Sequence, residues 1–159
     1  MSKSFALVPA LLTSMALITA ASPCLAQSAT DEIEMIRVIV QAERKALVAT
    51  NMNLSDAESE AFWPVYNEFE IAMRAVNDKR VKIITELARD FGTLTDEQAT
   101  DLLEQSFKFQ EERVKVRKSH MKKFKKILSG KQVARFYQID GKIDTIIDFD
   151  VARSVPLVN

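Results

Sequence analysis

The stretch Leu94-Thr95-Asp96-Glu97-Gln98 decides the fold, because it marks the start of a helix and recurs twice in related form. The other copies are Leu54-Ser55-Asp56-Ala57-Glu58 and Leu128-Ser129-Gly130-Lys131-Gln132. In each copy the hydroxyl is placed to accept a hydrogen bond from a free N–H of the first turn. The Glu or Gln three residues later reaches back to the N–H of the cap. The three copies therefore predict three helix starts and a fixed helix order.

Apolar residues at steps of three, four and seven predict four amphipathic helices. The first helix is expected over about 31–50, and the second from Ser55 to the break at Phe91-Gly92, where Gly92 is a natural left-handed cap. The third is expected from Thr95 to about Leu128, and the fourth from Ser129. No stretch alternates with the period of two that an exposed strand requires, so the predicted fold class is all-α.

The long second and third helices, joined by Gly92-Thr93-Leu94, are expected to form an antiparallel hairpin. Two apolar seams run along the third helix, one of Leu103, Phe107, Val114, Met121, Phe124 and Leu128, the other of Leu102, Phe109, Val116 and Ile127. Two seams predict contact with two partner helices, from the same chain or from a second one. Periodicity leaves open a compact bundle and an open layer completed by dimerisation.

Residues 1–26 have the layout of a cleaved secretory signal peptide. Lys3 supplies a positive charge, 5–21 is apolar with one proline, and Cys24-Leu25-Ala26 offers a small-x-small cleavage site. The apolar run is short for a membrane anchor of about 20 residues, so no stable span is expected. We predict a periplasmic protein with one helical domain over 27–159, which has no cysteine once Cys24 is removed.

The whole chain has 22 Lys and Arg against 22 Asp and Glu, so its formal net charge is zero. This balance does not favour binding to nucleic acid. Charge is segregated locally, because 113–135 contains ten basic residues and no acid. The candidate partner-binding residues in this run are Arg113, Lys115, Arg117, Lys118 and Lys122. The lysines form either a solvated face or a positive surface for acidic stretches of unfolded chains, lipid head groups or an acidic domain.

Arg113 and Arg117 lie one turn apart within the apolar sector of the third helix. They are expected to pair with carboxylates of a neighbouring helix, and the alternative is a groove in which they bind a partner's carboxylate. Asp140, Asp144 and Asp148 form an acidic line on the fourth helix. A straight helix spaces these groups too widely to surround one cation, so pairing with basic side chains is the prediction.

Phe62, Trp63, Tyr66 and Phe69 cluster on the second helix at spacings typical of core. Together they cover more than half of the helical wheel, so Trp63 and Tyr66 are also candidates for partner contact. His120, the only histidine, is expected on the surface beside lysines.

The chemistry of enzymes is not visible in this sequence. It contains no Cys-x-x-Cys, no histidine pair at helical spacing, no glycine-rich phosphate loop and no nucleophile motif. We therefore expect a protein that is not an enzyme, with no catalytic residue, metal site or cofactor.

The repeated Leu-Ser/Thr-x-x-Gln/Glu pattern resembles that of the Spy/CpxP group of periplasmic LTXXQ-motif proteins. Longer blocks resemble an uncharacterised exported proteobacterial branch: Phe62-Trp63-Pro64-Val65-Tyr66, 94–99, 134–139 and Pro156-Leu157-Val158. The Spy/CpxP resemblance implies four helices in which long hairpins of two chains form a curved homodimer. Members include chaperones that work without ATP, an inhibitory partner of an envelope-stress sensor kinase, and metal-responsive proteins that use histidines.

The leading functional hypothesis is a periplasmic, ATP-independent chaperone-like or envelope-stress binding protein that holds unfolded or acidic polypeptides. One alternative is a regulatory adaptor that binds a specific envelope sensor domain. Another is a structural envelope protein without a client.

Overall fold

The computed structural model describes the backbone of residues 24–158, and the side chains of residue 35 and residues 38–158. Four helices follow one another: α1 (Cys24–Met52), α2 (Asp56–Asp90), α3 (Asp96–Phe124) and α4 (Gly130–Ser154). No strand occurs between residues 24 and 158, and the all-α fold class is confirmed. The predicted signal segment lies mostly outside the described residues. The chain divides after Ile39 into two units, and the packing below is that of the second.

All three predicted helix starts are confirmed as capping boxes. Ser55, Thr95 and Ser129 each accept a hydrogen bond from the N–H three residues on, and each donates its own N–H to the side chain of that residue in return. The returning bonds join the cap N–H to Glu58 Oε2, Gln98 Oε1 and Gln132 Oε1, each at 2.9 Å. The repeated motif thus sets where three of the four helices begin.

The helix ends follow the prediction less closely. Gly92 has the expected left-handed conformation, with φ of +88°. α3 ends at Phe124, four residues before the predicted Leu128, because the chain tightens into a turn in which the N–H of Ile127 bonds the carbonyl of Phe124 at 3.1 Å. α1 ends at Met52, after which Asn53 takes a positive φ of 50°.

The first and third copies of the motif are joined in space. Gln132 Nε2 donates to Glu58 Oε1 at 2.7 Å, so the capping box of α4 is bonded to that of α2. This bond, with those from Ser55, lowers the pKa of Glu58. A carboxylate shared by two helix N-termini also lies where both macrodipoles favour negative charge.

α2 and α3 form the predicted antiparallel hairpin. Lys123 pairs with Glu68 at 2.6 Å near one end, and Lys79 pairs with Glu112 at 2.6 Å farther along. Residue numbers rise on α2 as they fall on α3, as an antiparallel pair requires.

The main core is an aromatic cluster from the start of α2, the end of α3 and the start of α4. Phe62, Phe69, Phe124 and Phe136 are completely buried, and the ring centroids of Phe124 and Phe136 lie 4.6 Å apart. The end of α1 completes it with Val48 and Met52. A smaller cluster of Val76, Ile83 and Phe109 holds the rest of the hairpin together. No helix among the described residues has the length and apolar character that crossing a membrane requires.

Candidate functional site

Asp140, Asp144 and Asp148, the acidic line of α4, pair with arginines from the other three helices. Arg117 of α3 donates to Asp140 at 3.1 Å and also bonds Asp144. Arg113 donates to Asp144 at 2.6 Å and to Asp148 at 3.2 Å. The prediction that the two α3 arginines pair with carboxylates is confirmed, as is the prediction that the aspartates pair with basic side chains.

Two arginines that the sequence analysis did not single out complete this network. Arg44 of α1 donates to Asp140 at 2.6 Å and bonds Asp144, while Arg80 of α2 bonds Asp148. Both lie at seam positions, Arg44 between Val40 and Val48, and Arg80 between Val76 and Ile83. A charged residue inside an apolar seam was the signal available in the sequence.

Burial and pairing move the pKa values of the network in different directions. Burial raises the pKa of Asp140, which is 2% exposed, despite its two arginine partners. Burial also raises the pKa of Glu70, whose Oε1 is buried without a hydrogen-bond partner and lies 3.9 Å from Arg44. Burial acts the same way on Asp148, but the hydrogen bond from Arg80 and the charge of Arg113 hold its pKa below the usual value.

The lysines of α3 have a different environment from the arginines. Lys115, Lys118 and Lys122 are exposed and line one shallow groove with Glu111, Val114 and Ser119. None of the three lysines forms a salt bridge with another residue between 38 and 158. The aspartates of α4 therefore pair with Arg113 and Arg117, whereas the lysines of the groove keep their positive charge without a salt-bridge partner among residues 38–158.

An apolar stripe lies on the same outer face of α3. Leu103, Phe107 and Val114 are 54%, 62% and 47% exposed, although they belong to one of the predicted seams. The seam is buried only at its C-terminal end, where Phe124 and Leu128 enter the aromatic core. The second predicted seam packs against α2 through Phe109 and Leu102.

The remaining candidate residues lie away from this face. Tyr66 is 2% exposed and packs in the aromatic core, so its proposal as a partner contact is wrong. Arg113 is also not part of the candidate surface, because it is 6% exposed and its guanidinium is bonded to Asp144 of α4. Trp63 is half-buried, donates to Ser59 Oγ at 2.9 Å and lies 5.3 Å beneath the ammonium of Lys45.

His120 also differs from expectation. His120 is 7% exposed rather than on the surface, and its ring packs edge-on against Phe69 at 5.6 Å. Within residues 35–158 no group of His, Cys, Asp or Glu side chains is arranged to hold a metal ion. Leu157 in the tail is 87% exposed.

No protein-family model, curated protein or solved structure matches this chain. The resemblance to the Spy/CpxP group therefore stays a prediction that depends on the quoted motifs. The candidate functional surface is defined by physical properties alone: an open face of α3 that is cationic at Lys115, Lys118 and Lys122 and apolar at Leu103, Phe107 and Val114.

Proposed function

We propose that this protein is exported to the periplasm, where it holds unfolded or acidic polypeptides on the outer face of α3 without using ATP. The proposal depends on the different environments of the arginines and the lysines of α3. The arginines of α3 bond carboxylates of α4, whereas Lys115, Lys118 and Lys122 are left exposed. Val114 lines the same groove as these lysines, and Phe107 and Leu103 are exposed nearer the start of α3.

The two parts of the surface have separate roles in capture. The lysines attract acidic segments over a distance of about 8–10 Å at physiological salt, which raises the rate of encounter. Leu103, Phe107 and Val114 then contact apolar side chains that an unfolded chain exposes. Neither part encloses its ligand, so binding is weak, reversible and tolerant of different sequences.

Suppression of aggregation tests this function. Equimolar protein is expected to protect several unrelated unfolded substrates, and Lys115→Gln/Lys118→Gln to reduce that protection at least about threefold, since the charge steering is lost. Lys131→Gln/Lys142→Gln is the matched control, because it removes the same charge from exposed positions of α4. Light scattering during refolding measures the effect, and added salt should slow capture.

Two outcomes would contradict the proposal. One is no protection of any substrate; combined with tight binding to a single envelope protein, it would favour the regulatory adaptor. The other is an equal loss of protection in the lysine variant and its control, which would remove the α3 surface from the mechanism.

A further inference from the structure

Exposed lysines are concentrated at the end of the molecule where the chain turns from α3 into α4. Phe124 packs on Phe136 across this turn, and Arg113, earlier on α3, bonds Asp144, later on α4, so the two helices are antiparallel and the turn forms an end. Four lysines there are exposed and form no salt bridge with another residue between 38 and 158: Lys122, Lys125, Lys126 and Lys131. We call these four residues the basic tip.

The carboxylates of α2 that lie near this end do not neutralise the basic tip. Glu58 is bonded to the capping box of α4 and therefore points toward that helix. At 100° per residue, Asp56 and Glu60 are about 160° away from Glu58, on the side of α2 that faces away from α4. Glu68 pairs with a different lysine, Lys123, at 2.6 Å. The basic tip therefore keeps an excess of positive charge.

The opposite end of α3 is acidic. The only arginine near the turn between α2 and α3, Arg89, pairs with Asp90 at 2.7 Å. α3 has 29 residues, so about 40 Å separate this end from the basic tip. Four carboxylates in its first three turns are exposed and form no salt bridge with another residue between 38 and 158: Asp96, Glu97, Asp101 and Glu104.

The basic tip offers positive charge without an apolar contact surface. Between residues 115 and 145 no large hydrophobic side chain is exposed, because Phe124 and Leu128 enter the core. An unfolded polypeptide offers apolar side chains that the tip cannot contact, whereas the phosphates of lipid head groups require only positive charge. The ammonium of lysine suits phosphate as a compact point charge. The tip therefore fits a layer of phosphate groups better than a polypeptide.

We propose that the basic tip docks on the surface of a bilayer that contains anionic phospholipids, with the turn between α2 and α3 directed into the water. Clusters of four or more basic side chains bind such surfaces. The carboxylates at the far end of α3 are repelled by the same surface, so they set the orientation. Since no apolar side chain inserts, the docking is peripheral, reversible and sensitive to salt.

Docking at the tip leaves the groove of the proposed function accessible. Lys115 lies about 15 Å along α3 from Lys125, beyond the screening length of about 8–10 Å at physiological salt. If the proposed function holds, the docked protein still presents Lys115 and Lys118 to polypeptides. This consequence rests on the proposed function, whereas the docking itself is measured with vesicles alone.

Cosedimentation of the protein with vesicles tests the docking. Vesicles of equal parts phosphatidylglycerol and phosphatidylethanolamine are compared with vesicles of phosphatidylcholine. The measured quantity is the ratio of the two partition coefficients, because an apolar segment would enter both kinds of vesicle. This ratio is expected to be at least about 30 at low salt and to approach unity at about 0.5 M salt.

Removal of charge from the tip should abolish this preference. Lys125→Gln/Lys126→Gln/Lys131→Gln is expected to lower the ratio at least about tenfold, since each lysine contributes to attraction near the surface. The matched control is Lys82→Gln/Lys108→Gln/Lys142→Gln, which removes the same charge from exposed positions away from the tip. The control should change the ratio less than about threefold.

A fluorophore on an introduced cysteine tests the orientation. Gly130→Cys lies in the turn beside the tip, where an added Cβ meets no atom within 4 Å, and Thr93→Cys lies at the far end. Each is made with Cys24→Ser, because Cys24 is the only cysteine of the chain. A quencher attached to the lipid head groups should quench the label at residue 130 and not the label at residue 93.

Three outcomes would overturn the proposal: equal binding to both kinds of vesicle, an equal loss in the tip variant and its control, and equal quenching at the two labels. Displacement of the protein from the vesicles by polyglutamate at equal charge would overturn it as well, since the tip would then be a polypeptide site.

Client protection separates the two proposals. The tip variant keeps Lys115 and Lys118 and should protect substrates in solution as well as the original protein. Loss of protection in every form of the protein, with vesicle binding intact, would count against the proposed function alone. Intact protection without a preference for anionic vesicles would count against the docking alone.

Discussion

Glu70 shows how a single buried carboxylate influences this fold. Its Oε1 is buried without a hydrogen-bond partner, and its ion pair with Arg44 is long, at 3.9 Å, because Arg44 is also bonded to Asp140 and Asp144. Burial raises the pKa of Glu70, and the negative charges of Asp140 and Asp144 act in the same direction. The folded protein therefore favours the protonated form of this residue more than the unfolded chain does.

This raised pKa predicts the effect of Glu70→Gln on stability and its pH dependence. A carboxyl with a raised pKa in the folded state stabilises the protein as pH falls through that pKa, and the stabilisation is lost as pH rises. Glu70→Gln should therefore raise the free energy of unfolding at pH 7.5 by about 1 kcal/mol, because the neutral amide has no negative charge to desolvate in the folded protein. Urea unfolding at pH 7.5 and pH 5 measures both values.

The gain from Glu70→Gln should shrink at pH 5, where the original side chain is more protonated. Glu60→Gln, at an exposed position of the same helix, should change stability by less than about 0.5 kcal/mol at either pH. A Glu70→Gln protein that is less stable at pH 7.5 would show that the attraction to Arg44 outweighs the cost of burial.

At the scale of elements, the capping boxes explain why the starts of α2, α3 and α4 could be predicted, whereas the end of α3 could not. Ser55, Thr95 and Ser129 each form a local bond within four residues, which needs no knowledge of the rest of the chain. The end of α3 at Phe124 depends instead on a tightened turn that brings Leu128 into the core. That packing depends on contacts with other helices. Hydrophobic periodicity within α3 alone therefore predicted an end at Leu128, four residues beyond the observed end at Phe124.

The bond between two of these boxes predicts unequal costs for equivalent substitutions. Gln132→Ala removes the bonds that its Oε1 accepts from the N–H and the hydroxyl of Ser129, and the bond to Glu58. Gln98→Ala removes only the return bond to Thr95. Gln98→Ala is expected to cost about 0.5 kcal/mol and Gln132→Ala about twice that. Urea unfolding measures both, and the excess should shrink in a Glu58→Ala background, where the bond between the two boxes is already absent. Equal costs in the original protein would mean that the two helix starts are energetically independent.

At the scale of the whole molecule, the arginine network joins all four helices in one layer beside the aromatic core. Each helix contributes at least one charged group to it: Arg44, Arg80, Arg113, Arg117 and the three aspartates of α4. The sequence predicted the α3 and α4 members, because runs of like residues at helical spacing mark them. For Arg44 the sequence offers only its position inside the apolar seam of α1, between Val40 and Val48, and this does not identify partners that lie about 100 residues away.

Arg44 is the only member of this network from α1 among the described residues, so it tests whether the network holds the fold together. Arg44→Met preserves much of the side-chain volume but leaves Asp140 and Asp144 buried with fewer cations. Removing one partner of a buried ion pair costs about 3–5 kcal/mol, because the remaining charge is desolvated without compensation. Arg153→Met, at a side chain 73% exposed, should cost less than about 0.5 kcal/mol. A loss below about 1 kcal/mol for Arg44→Met in urea unfolding would show that Arg113 and Arg117 compensate the aspartates. Apolar packing of α1 through Val48 and Met52 would then be sufficient to hold that helix.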